Sequence, residues 1–468
     1  MKRSAAVFLI VMLAGVASAG HPGRARAASQ PNIVLILTDD QRANTLWAMP
    51  NVRRTLLGHG VEFTHAYVVN SLCCPSRTSI LTGNYSHTTG VYTNRYPTGG
   101  FERFTEQGED ASTIATWLHD AGYETALVGK YLNQYRQWTQ GAYIPPGWDR
   151  WDALDTDGGG SYYNYAMTLN GRIKDYGHQA SDYSTTVLTS YAVHFIEHAR
   201  TPFFLYFAPS APHGPAKPPP GDEEKFPRLP PYRPASFNEP DMSDKPAWAA
   251  GLPALTDTQI AAIDGFRRRQ YQALLGVDRS VARIVGTLWD LHELRDTMIV
   301  FMSDNGVQWG EHRLEGKAKP YEESVHVPLV IRYNPFGTSA RTEDHLALNI
   351  DLAPTFAQLA GVQAPPTEGT SLLPLLENQS ASWRSDFLIE HLGDGLVPSN
   401  CEVHSDRYVL IRYEYSDGTK EDEMYDLQTD PLELQNVAGD PAYGSEKAIL
   451  SSRMHALCNP PPPGTNLP

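Results

Sequence analysis

A pair of cysteines opens the stretch of this chain with the clearest chemical character, residues 73–83, which read CCPSRTSILTG. Pro75 suits the first turn of a helix, where its missing N–H has no intrahelical partner, and Gly83 is typical of a helix end. We therefore predict that Cys73 lies at a helix N-terminus, where free N–H groups and a partial positive charge favour an anion. Arg77, one turn further on, adds a planar guanidinium that suits a tetrahedral oxyanion.

Cys73 has three interpretations. A free cysteine is most often a buried structural residue, and a cysteine can also be a nucleophile of the protease kind. The third interpretation comes from a resemblance, because the stretch resembles the signature of the type I sulfatases. In that family the first cysteine of Cys-x-Pro-Ser-Arg is oxidised after translation to formylglycine (3-oxoalanine). The matching positions are Cys73, Pro75, Ser76, Arg77, Leu81, Thr82 and Gly83. The resemblance implies that Cys73 is modified and that Cys74, at the variable position, is not.

Four apolar runs, each followed by polar residues, predict strands of a parallel sheet that is buried on both faces. The runs and the polar residues are 32–37 with Asp39 and Asp40, 125–129 with Lys130, 203–207 with His213, and 298–302 with Asp304 and Asn305. The carboxyl ends of such strands form the edge of a sheet where ligands bind. Residues that are far apart in the sequence are therefore expected to meet there.

The chain of 468 residues, 41% of them hydrophobic, suits one large domain and one smaller domain. Helical patterns at 112–121, 182–199, 256–291 and 351–359 alternate with the strands, which predicts an α/β sandwich. The resemblance implies the alkaline-phosphatase-like fold, in which helices cover a large, mostly parallel central sheet. We assign residues 31–376 to this catalytic domain. The proline-rich segment 209–234 is expected to be a long loop beside His213.

The C-terminal part is expected to form a small α+β domain over residues 377–458. Strands at 408–413 and 423–427 flank a Ser-Asp-Gly turn and predict an antiparallel hairpin, which a helix at 446–457 could cover. Residues 459–468 contain four consecutive prolines, and we expect a disordered tail.

The N-terminus has the features of a secretory signal peptide. Basic residues precede an apolar run at 5–16 and the sequence Ala-Ser-Ala at 17–19, so we predict a signal peptide at 1–19 and a linker at 20–30. An uncleaved anchor is the alternative. The expected location is secreted or otherwise extracytoplasmic, with no membrane partner. Export permits disulfides, and because Cys73 and Cys74 belong to the motif, we predict that Cys401 and Cys458 pair.

The formal net charge of −15 argues against a nucleic acid as partner, because nucleic-acid binding needs a basic surface. The same charge would repel a long polyanion unless the mouth of the site is locally basic. A compact or terminal anionic group fits better.

Asp39, Asp40, Asp304 and Asn305 offer only oxygen ligands, which suit a hard cation such as calcium or magnesium. Either pair alone could simply cap a strand or solvate a turn. The four positions match the sulfatase pattern, which implies that they hold one divalent ion together with the group formed from Cys73, the fifth predicted ligand. Calcium is the preferred ion, because flexible carboxylate and amide ligation suits it, and magnesium is the alternative.

The resemblance places four cationic side chains around the sulfate: Arg77, Lys130, His213 and Lys317. Lys319 is an alternative to Lys317, but the family spacing to Tyr321-Glu322 selects Lys317. The implied mechanism begins when hydrated formylglycine attacks sulfur and expels the alcohol. A base then removes a proton, which regenerates the aldehyde and releases sulfate. The implied maturation partner is a formylglycine-generating or equivalent enzyme.

One departure from the family concerns the general base. Many sulfatases have Gly-Lys-x-His where this chain has Gly129-Lys130-Tyr131-Leu132-Asn133, so a histidine commonly assigned as the base is absent. We expect His213 to replace it, with His312 second, and we place Asn133 and His312 with Lys130, His213 and Lys317 in the substrate-binding set. The Gly-Lys-Tyr-Leu-Asn run, with 146–148, 162–165 and 169–171, resembles the N-acetylglucosamine-6-sulfatase branch.

Three functions follow as hypotheses. The first is a sulfatase acting on a sulfated amino sugar such as N-acetylglucosamine 6-sulfate, or on an aryl sulfate. The second is a phosphonate or phosphate monoester hydrolase on the same scaffold, and the third is a non-catalytic, metal-stabilised binding protein.

Overall fold

Two separate β-sheets organise the protein, a ten-stranded sheet and a four-stranded sheet near the C-terminus. The computed structural model describes residues 30–155, 162–377, 380–393 and 395–468. The predicted signal peptide and all but the last residue of the predicted linker lie outside the described residues.

The helices and strands are as follows. The strands are β1 Asn32–Thr38, β2 Val61–Phe63, β3 Ala66–Tyr67, β4 Glu124–Lys130, β5 Arg150–Leu154, β6 Ala166–Leu169, β7 Arg172–Asp175, β8 Phe203–Ala208, β9 Thr297–Ser303, β10 Gln308–Trp309, β11 Glu315–Gly316, β12 Leu329–Arg332, β13 Arg341–Glu343, β14 Ala347–Leu348, β15 Asp386–His391, β16 Ser399–Ser405, β17 Tyr408–Glu414 and β18 Lys420–Asp426. The α-helices are α1 Pro50–Thr55, α2 Cys73–Thr82, α3 Ser86–Thr89, α4 Gly100–Glu106, α5 Ile114–Asp120, α6 Tyr135–Thr139, α7 Ser184–His198, α8 Ala247–Ala250, α9 Asp257–Asp290, α10 Glu322–Val325, α11 Leu352–Ala360, α12 Leu373–Glu377 and α13 Gly444–Leu457. Short 3₁₀ turns lie at Ala43–Ala48, Leu57–His59, Glu109–Ala111, Ala180–Asp182, Leu294–Asp296, Asn334–Phe336, Asn349–Asp351 and Pro441–Tyr443.

The four predicted strands are neighbours at the centre of the large sheet, whose order is β13-β2-β12-β9-β1-β8-β4-β5-β6-β7. The contiguous set from β9 to β5 is parallel, whereas β12, β6 and β7 pair antiparallel with their neighbours. The predicted mostly parallel α/β sheet is thus confirmed. Its parallel centre places the carboxyl ends of five strands, the four predicted strands among them, at one edge.

Strand β1 shows why an apolar run forms a strand with no exposed face. Alternate side chains of a strand point to opposite faces, so Ile33, Leu35 and Leu37 enter one apolar core and Val34 and Ile36 enter the other. Helices α5 and α11 contribute to the first core, and helices α7 and α9 contribute to the second. The sheet is therefore covered on both faces, as its composition predicts.

The predicted helices form, with small shifts at their starts. The pattern at 256–291 becomes the single helix α9, which Thr256 caps by accepting a hydrogen bond from the Gln259 N–H. Helix α5 begins after Thr113 and not after Ser112, because Thr113 and Thr116 form a reciprocal cap. Asp182 lies in a 3₁₀ turn before α7 instead of capping it.

The C-terminal domain contains an antiparallel sheet in the order β15-β16-β17-β18. The predicted hairpin is the β17–β18 pair, and helix α13 covers the sheet with Leu450 and Met454, which pack with Val403 and Leu410. None of the helices among the described residues combines the length and apolarity needed to cross a bilayer.

The C-terminal tail is ordered in the structure, so our expectation of disorder at 459–468 is wrong. Leu467 is buried against the C-terminal core, the Asn466 N–H donates to Glu414, and the Lys420 ammonium donates to the Asn466 carbonyl. One apolar anchor and these polar contacts hold a segment whose proline content alone indicated disorder.

A disulfide joins Cys401 in β16 to Cys458 at the end of α13, with 6.3 Å between the Cα atoms. We predict that replacing both residues with serine lowers the free energy of unfolding by about 4 kcal/mol, because the unfolded chain loses a cross-link that closes a long loop. Denaturant titration of the variant and the unchanged protein measures this difference. As a control, thiol labelling of denatured, unreduced protein should leave Cys401 and Cys458 unlabelled, and labelling of both would contradict the pairing.

Candidate active site

Helix α2 brings Cys73 and Arg77 to the carboxyl edge of the central strands. All ten residues of α2 are buried, Leu72 precedes the first turn, and Gly83 ends the helix in the left-handed region at φ 75°. The predicted helix bounds are confirmed. Cys73 Sγ lies 3.5 Å from Asp39 Oδ1 and 2.6 Å from Lys317 Nζ, so the thiol faces both an acidic and a basic group.

Asp39, Asp40, Asp304 and Asn305 meet because β1 and β9 pair in parallel with Thr38 opposite Ser303. In this register Asp39 and Asp304 directly follow the paired residues Thr38 and Ser303, so they lie side by side at the ends of adjacent strands. The Asp40 N–H donates to Asp304 Oδ1 at 3.2 Å, and Asn305 Nδ2 donates to Asp40 Oδ1 at 2.7 Å. The structure therefore brings together the four side chains predicted to offer oxygen ligands, and Cys73, the fifth predicted ligand, contacts Asp39.

The donor set of these four residues fits a hard cation. The Asn305 side-chain oxygen Oδ1 is buried and has no hydrogen-bond partner among the described residues, although its Nδ2 is engaged. One ligand atom each from Asp39, Asp40, Cys73 and His213 lie within 4.8 Å of one another. Carboxylate oxygens and an orphaned amide oxygen are the ligands that calcium and magnesium prefer.

Arg77 and Lys130 are buried cations that pair with the carboxylates. Arg77 Nε donates to Asp304 Oδ2 at 2.8 Å, and its Nη1 donates to the Lys130 carbonyl at 2.9 Å. Lys130 Nζ donates to Asp39 Oδ2 at 2.6 Å. Buried charges are stable only when they are paired in this way.

Lys317 lies on the open side of the group, with 16% of its side chain exposed. Its Nζ is 2.6 Å from both Asp40 Oδ1 and Cys73 Sγ. The family spacing that selected Lys317 over Lys319 thus points to the lysine that contacts Cys73.

His213 follows β8 and projects towards the same group. Its Nδ1 pairs with the Gly214 carbonyl at 2.8 Å, and its Nε2 lies 3.7 Å from Asp40 Oδ2, with 25% of the side chain exposed. A neutral ring that donates from Nδ1 keeps the Nε2 lone pair available to accept a proton. The irregular segment after β8 places this ring, as the proline-rich sequence predicts.

Charges in the site shift the pKa values of its acids. Burial alone would raise the pKa of Asp39, but the positive charges of Lys130, His213 and Lys317 hold that pKa well below its usual range. Burial raises the pKa of the Cys73 thiol to about 12, and Lys130 and Lys317 only partly offset this effect. The thiol is therefore protonated, unlike a cysteine that serves as a nucleophile.

His312 does not join the group around Cys73, so our expectation of a substrate-binding histidine or second base at this position is wrong. Its side chain is completely buried, its Nδ1 lies 2.7 Å from Glu239 Oε2, and its ring stacks on Tyr321 at 4.3 Å. A ring that is enclosed on all sides cannot exchange a proton with a substrate. Its position seven residues after Asn305 suggested proximity, but β10 and the residues after it lead the chain to a fully buried position.

Asn133 lies beside Cys74, behind the reacting side of the helix. Its carbonyl accepts a hydrogen bond from the Phe101 N–H, its own N–H donates to the Cys74 sulfur, and its Oδ1 is buried without a hydrogen-bond partner among the described residues. The observed contacts therefore link Asn133 to the structure around α2 and not to Cys73.

Sequence reasoning missed two positioning residues. The Asn94 side chain accepts a hydrogen bond from the Cys74 N–H at 2.8 Å and so orients the first turn of α2. The Tyr162 hydroxyl donates to the His213 carbonyl at 2.8 Å. Tyr162 belongs to a tyrosine-rich run that was visible in the sequence, whereas nothing in the pattern singled out Asn94.

The family comparisons agree with this geometry. The Sulfatase family matches residues 31–362, and a family described as "N-sulphoglucosamine sulphohydrolase, C-terminal" matches residues 310–459. Human N-acetylglucosamine-6-sulfatase is 33% identical, over 92% of this chain and 84% of that protein. The Sulf-1 homologue of Caenorhabditis elegans is 35% identical over 83% of this chain, which spans only 56% of that longer protein.

A solved structure extends the likeness to the fold. BT4656, in complex with its substrate D-glucosamine-2-N,6-O-disulfate, superimposes with a TM-score of 0.77 and 25% identity, covering 92% of this chain and 98% of that chain. The chain therefore belongs to the sulfatase family, and it is an enzyme of that family.

Proposed function

We propose that this enzyme hydrolyses a sulfate ester on a sulfated amino sugar, such as N-acetylglucosamine 6-sulfate, outside the cytoplasm. The observation that carries the proposal is the position of Cys73, at the N-terminus of α2, in contact with both Lys317 and Asp39. The names of the human relative and of the BT4656 substrate support an amino sugar with a 6-sulfate. The C. elegans relative is named an extracellular sulfatase, which supports the location.

Cys73 is the precursor of the reacting group in this proposal. The sulfur atom occupies the place of the formylglycine hydrate, which supplies a hydroxyl nucleophile and whose second hydroxyl allows the aldehyde to be regenerated. Asp39 Oδ1 and Lys317 Nζ, both in contact with that sulfur, would orient the hydroxyls through hydrogen bonds. A formylglycine-generating or equivalent enzyme is then a required maturation partner.

Asp39, Asp40, Asp304 and Asn305 would hold one divalent ion, with calcium preferred because its ligation tolerates mixed carboxylate and amide geometry. The ion would supply positive charge next to the sulfate oxygens. The role of the protein is to fix the ligands, which it does by pairing β1 with β9 in a single register.

The cationic side chains bind the ester and stabilise the charge that develops during the reaction. The ammonium group of Lys317 contacts Cys73, and that of Lys130 contacts Asp39, the neighbour of Cys73. Arg77 donates hydrogen bonds to Asp304 and to the Lys130 carbonyl and so positions both. Preorganised donors in a buried site stabilise developing negative charge without reorganisation. His213, the partly exposed base candidate, would accept the proton through Nε2.

We predict that Cys73 is formylglycine in active preparations and that Cys74 is an unmodified cysteine. Cys73→Ala should lower turnover by about 10³-fold or more, because the nucleophile is lost, while the matched variant Cys74→Ala should retain most activity. Peptide mass spectrometry and steady-state assays measure both. Fully active enzyme with an unmodified Cys73 would refute the mechanism.

The substrate class is tested with two esters of the same phenol, its sulfate ester and its phosphate ester, together with N-acetylglucosamine 6-sulfate. We expect the sulfate to be favoured over the phosphate and the sugar 6-sulfate to be hydrolysed. Preference for the phosphate would instead favour a phosphonate or phosphate monoester hydrolase. Failure on both phenyl esters by protein with a verified aldehyde would favour the non-catalytic interpretation.

His213→Ala should separate the two halves of the reaction. If His213 is the base, the variant should release about one alcohol per active site in a burst and then turn over about 10²- to 10⁴-fold more slowly. Rapid-quench kinetics of alcohol release measures the burst, and His178→Ala, which changes an exposed histidine, is the control. A burst that is itself slowed to the same extent would show that His213 only binds the ester.

A further inference from the structure

A second cluster of possible metal ligands lies in the interior, outside the group around Cys73. Among the described residues, one ring nitrogen of His312 and one carboxylate oxygen each of Glu323 and Glu433 lie within 4.8 Å of one another. All three side chains are buried. They come from three places in the chain, namely the segment after β10, helix α10 and the segment after β18.

The hydrogen bonds of His312 leave one ring nitrogen directed at this cluster. Glu239 Oε2 lies 2.7 Å from Nδ1, so this carboxylate accepts the Nδ1–H and favours the tautomer with a lone pair on Nε2. His312 Nε2 is buried and has no hydrogen-bond partner among the described residues. Tyr321, stacked on the ring at 4.3 Å, fixes the plane of the imidazole. Histidines that bind a metal through one ring nitrogen usually donate the N–H of the other ring nitrogen to a carboxylate or carbonyl, as His312 does here.

Few hydrogen-bond donors among the described residues contact the two carboxylates. Glu433 Oε2 accepts the Glu322 N–H at 3.0 Å, and Glu323 Oε2 accepts a long contact of 3.4 Å from Gln308 Nε2. Buried carboxylates are costly unless a cation or a proton compensates them.

We propose that His312, Glu323 and Glu433 bind a divalent transition-metal cation of the zinc class. One imidazole nitrogen and two carboxylate oxygens suit zinc, whose protein sites combine these ligand types in four-coordinate geometry. The oxygen-only set at Asp39, Asp40, Asp304 and Asn305 suits a harder ion, so the two clusters select different metals. The proposal is independent of the proposed substrate.

A metal here would join the two domains. Glu433 follows the last strand of the C-terminal sheet, whereas His312 and Glu323 belong to the segment of the large domain that also carries Lys317. Glu433 already accepts the N–H of Glu322, the first residue of α10. The ion would therefore fix α10 against the C-terminal domain and stabilise the folded protein.

The proposal is tested on the full-length protein, incubated with zinc and dialysed against metal-free buffer. Crystals of this protein should show an anomalous difference peak at the zinc edge between His312, Glu323 and Glu433. The map separates this position from the carboxylates near Cys73 and from the exposed group His194, Glu197 and His198, which could also take up zinc. No peak at the His312 position overturns the proposal, whatever zinc is bound elsewhere.

Variants give a second readout in solution. Glu433→Gln keeps an oxygen that can accept the Glu322 N–H but removes the ligand charge, so it should lose about one equivalent of zinc per chain by elemental analysis. Zinc should raise the thermal midpoint of the unchanged protein and of the control His194→Ala but not of Glu433→Gln. Equal zinc content and an equal midpoint shift in Glu433→Gln would show that these residues share a proton or enclose a water instead.

Discussion

The parallel pairing of β1 with β9 is the constraint on which the site depends. A shift of one residue in this register would move Asp304 away from Asp39 and would turn the buried side chains of the shifted strand to the opposite core. The apolar cores on both faces of the sheet resist such a shift. The energy that positions the carboxylates therefore comes from hydrophobic packing along the whole strand and not from contacts within the site.

The charges of the side chains in the site balance one another without a ligand, so the site adds little cost to folding. Three carboxylates, Asp39, Asp40 and Asp304, face three permanent cations, Arg77, Lys130 and Lys317. These buried charges compensate one another, which keeps the cost of burying them low. The divalent ion proposed above would leave this set with an excess of positive charge, and the site would then favour an anionic ester despite the chain's net charge of −15.

The sequence predicted the fold, and the meeting of the polar side chains at the strand ends, well where the physical signal was local. Apolar runs such as 298–302, together with the rule that strand ends meet at one edge, were enough to place Asp304 next to Asp39. His312 shows the limit, because the burial of a residue in a turn depends on contacts with distant residues such as Glu239 and Tyr321. Leu467 shows the same limit, since one apolar side chain outweighs the composition of the tail.

The burial of Cys73 bears on when the oxidation proposed above would take place. Cys73 is 1% exposed, it lies in the first turn of a helix whose residues are all buried, and it is covered by Asp39 and Lys317, which are far away in the sequence. An enzyme that oxidises this residue would need the segment 73–83 in an accessible form. The proposed conversion would therefore precede closure of the large domain, and a chain that folds first would keep an unmodified thiol. The specific activity of a preparation would then report how synthesis, oxidation and folding competed in the cell, even when every molecule has the same native structure.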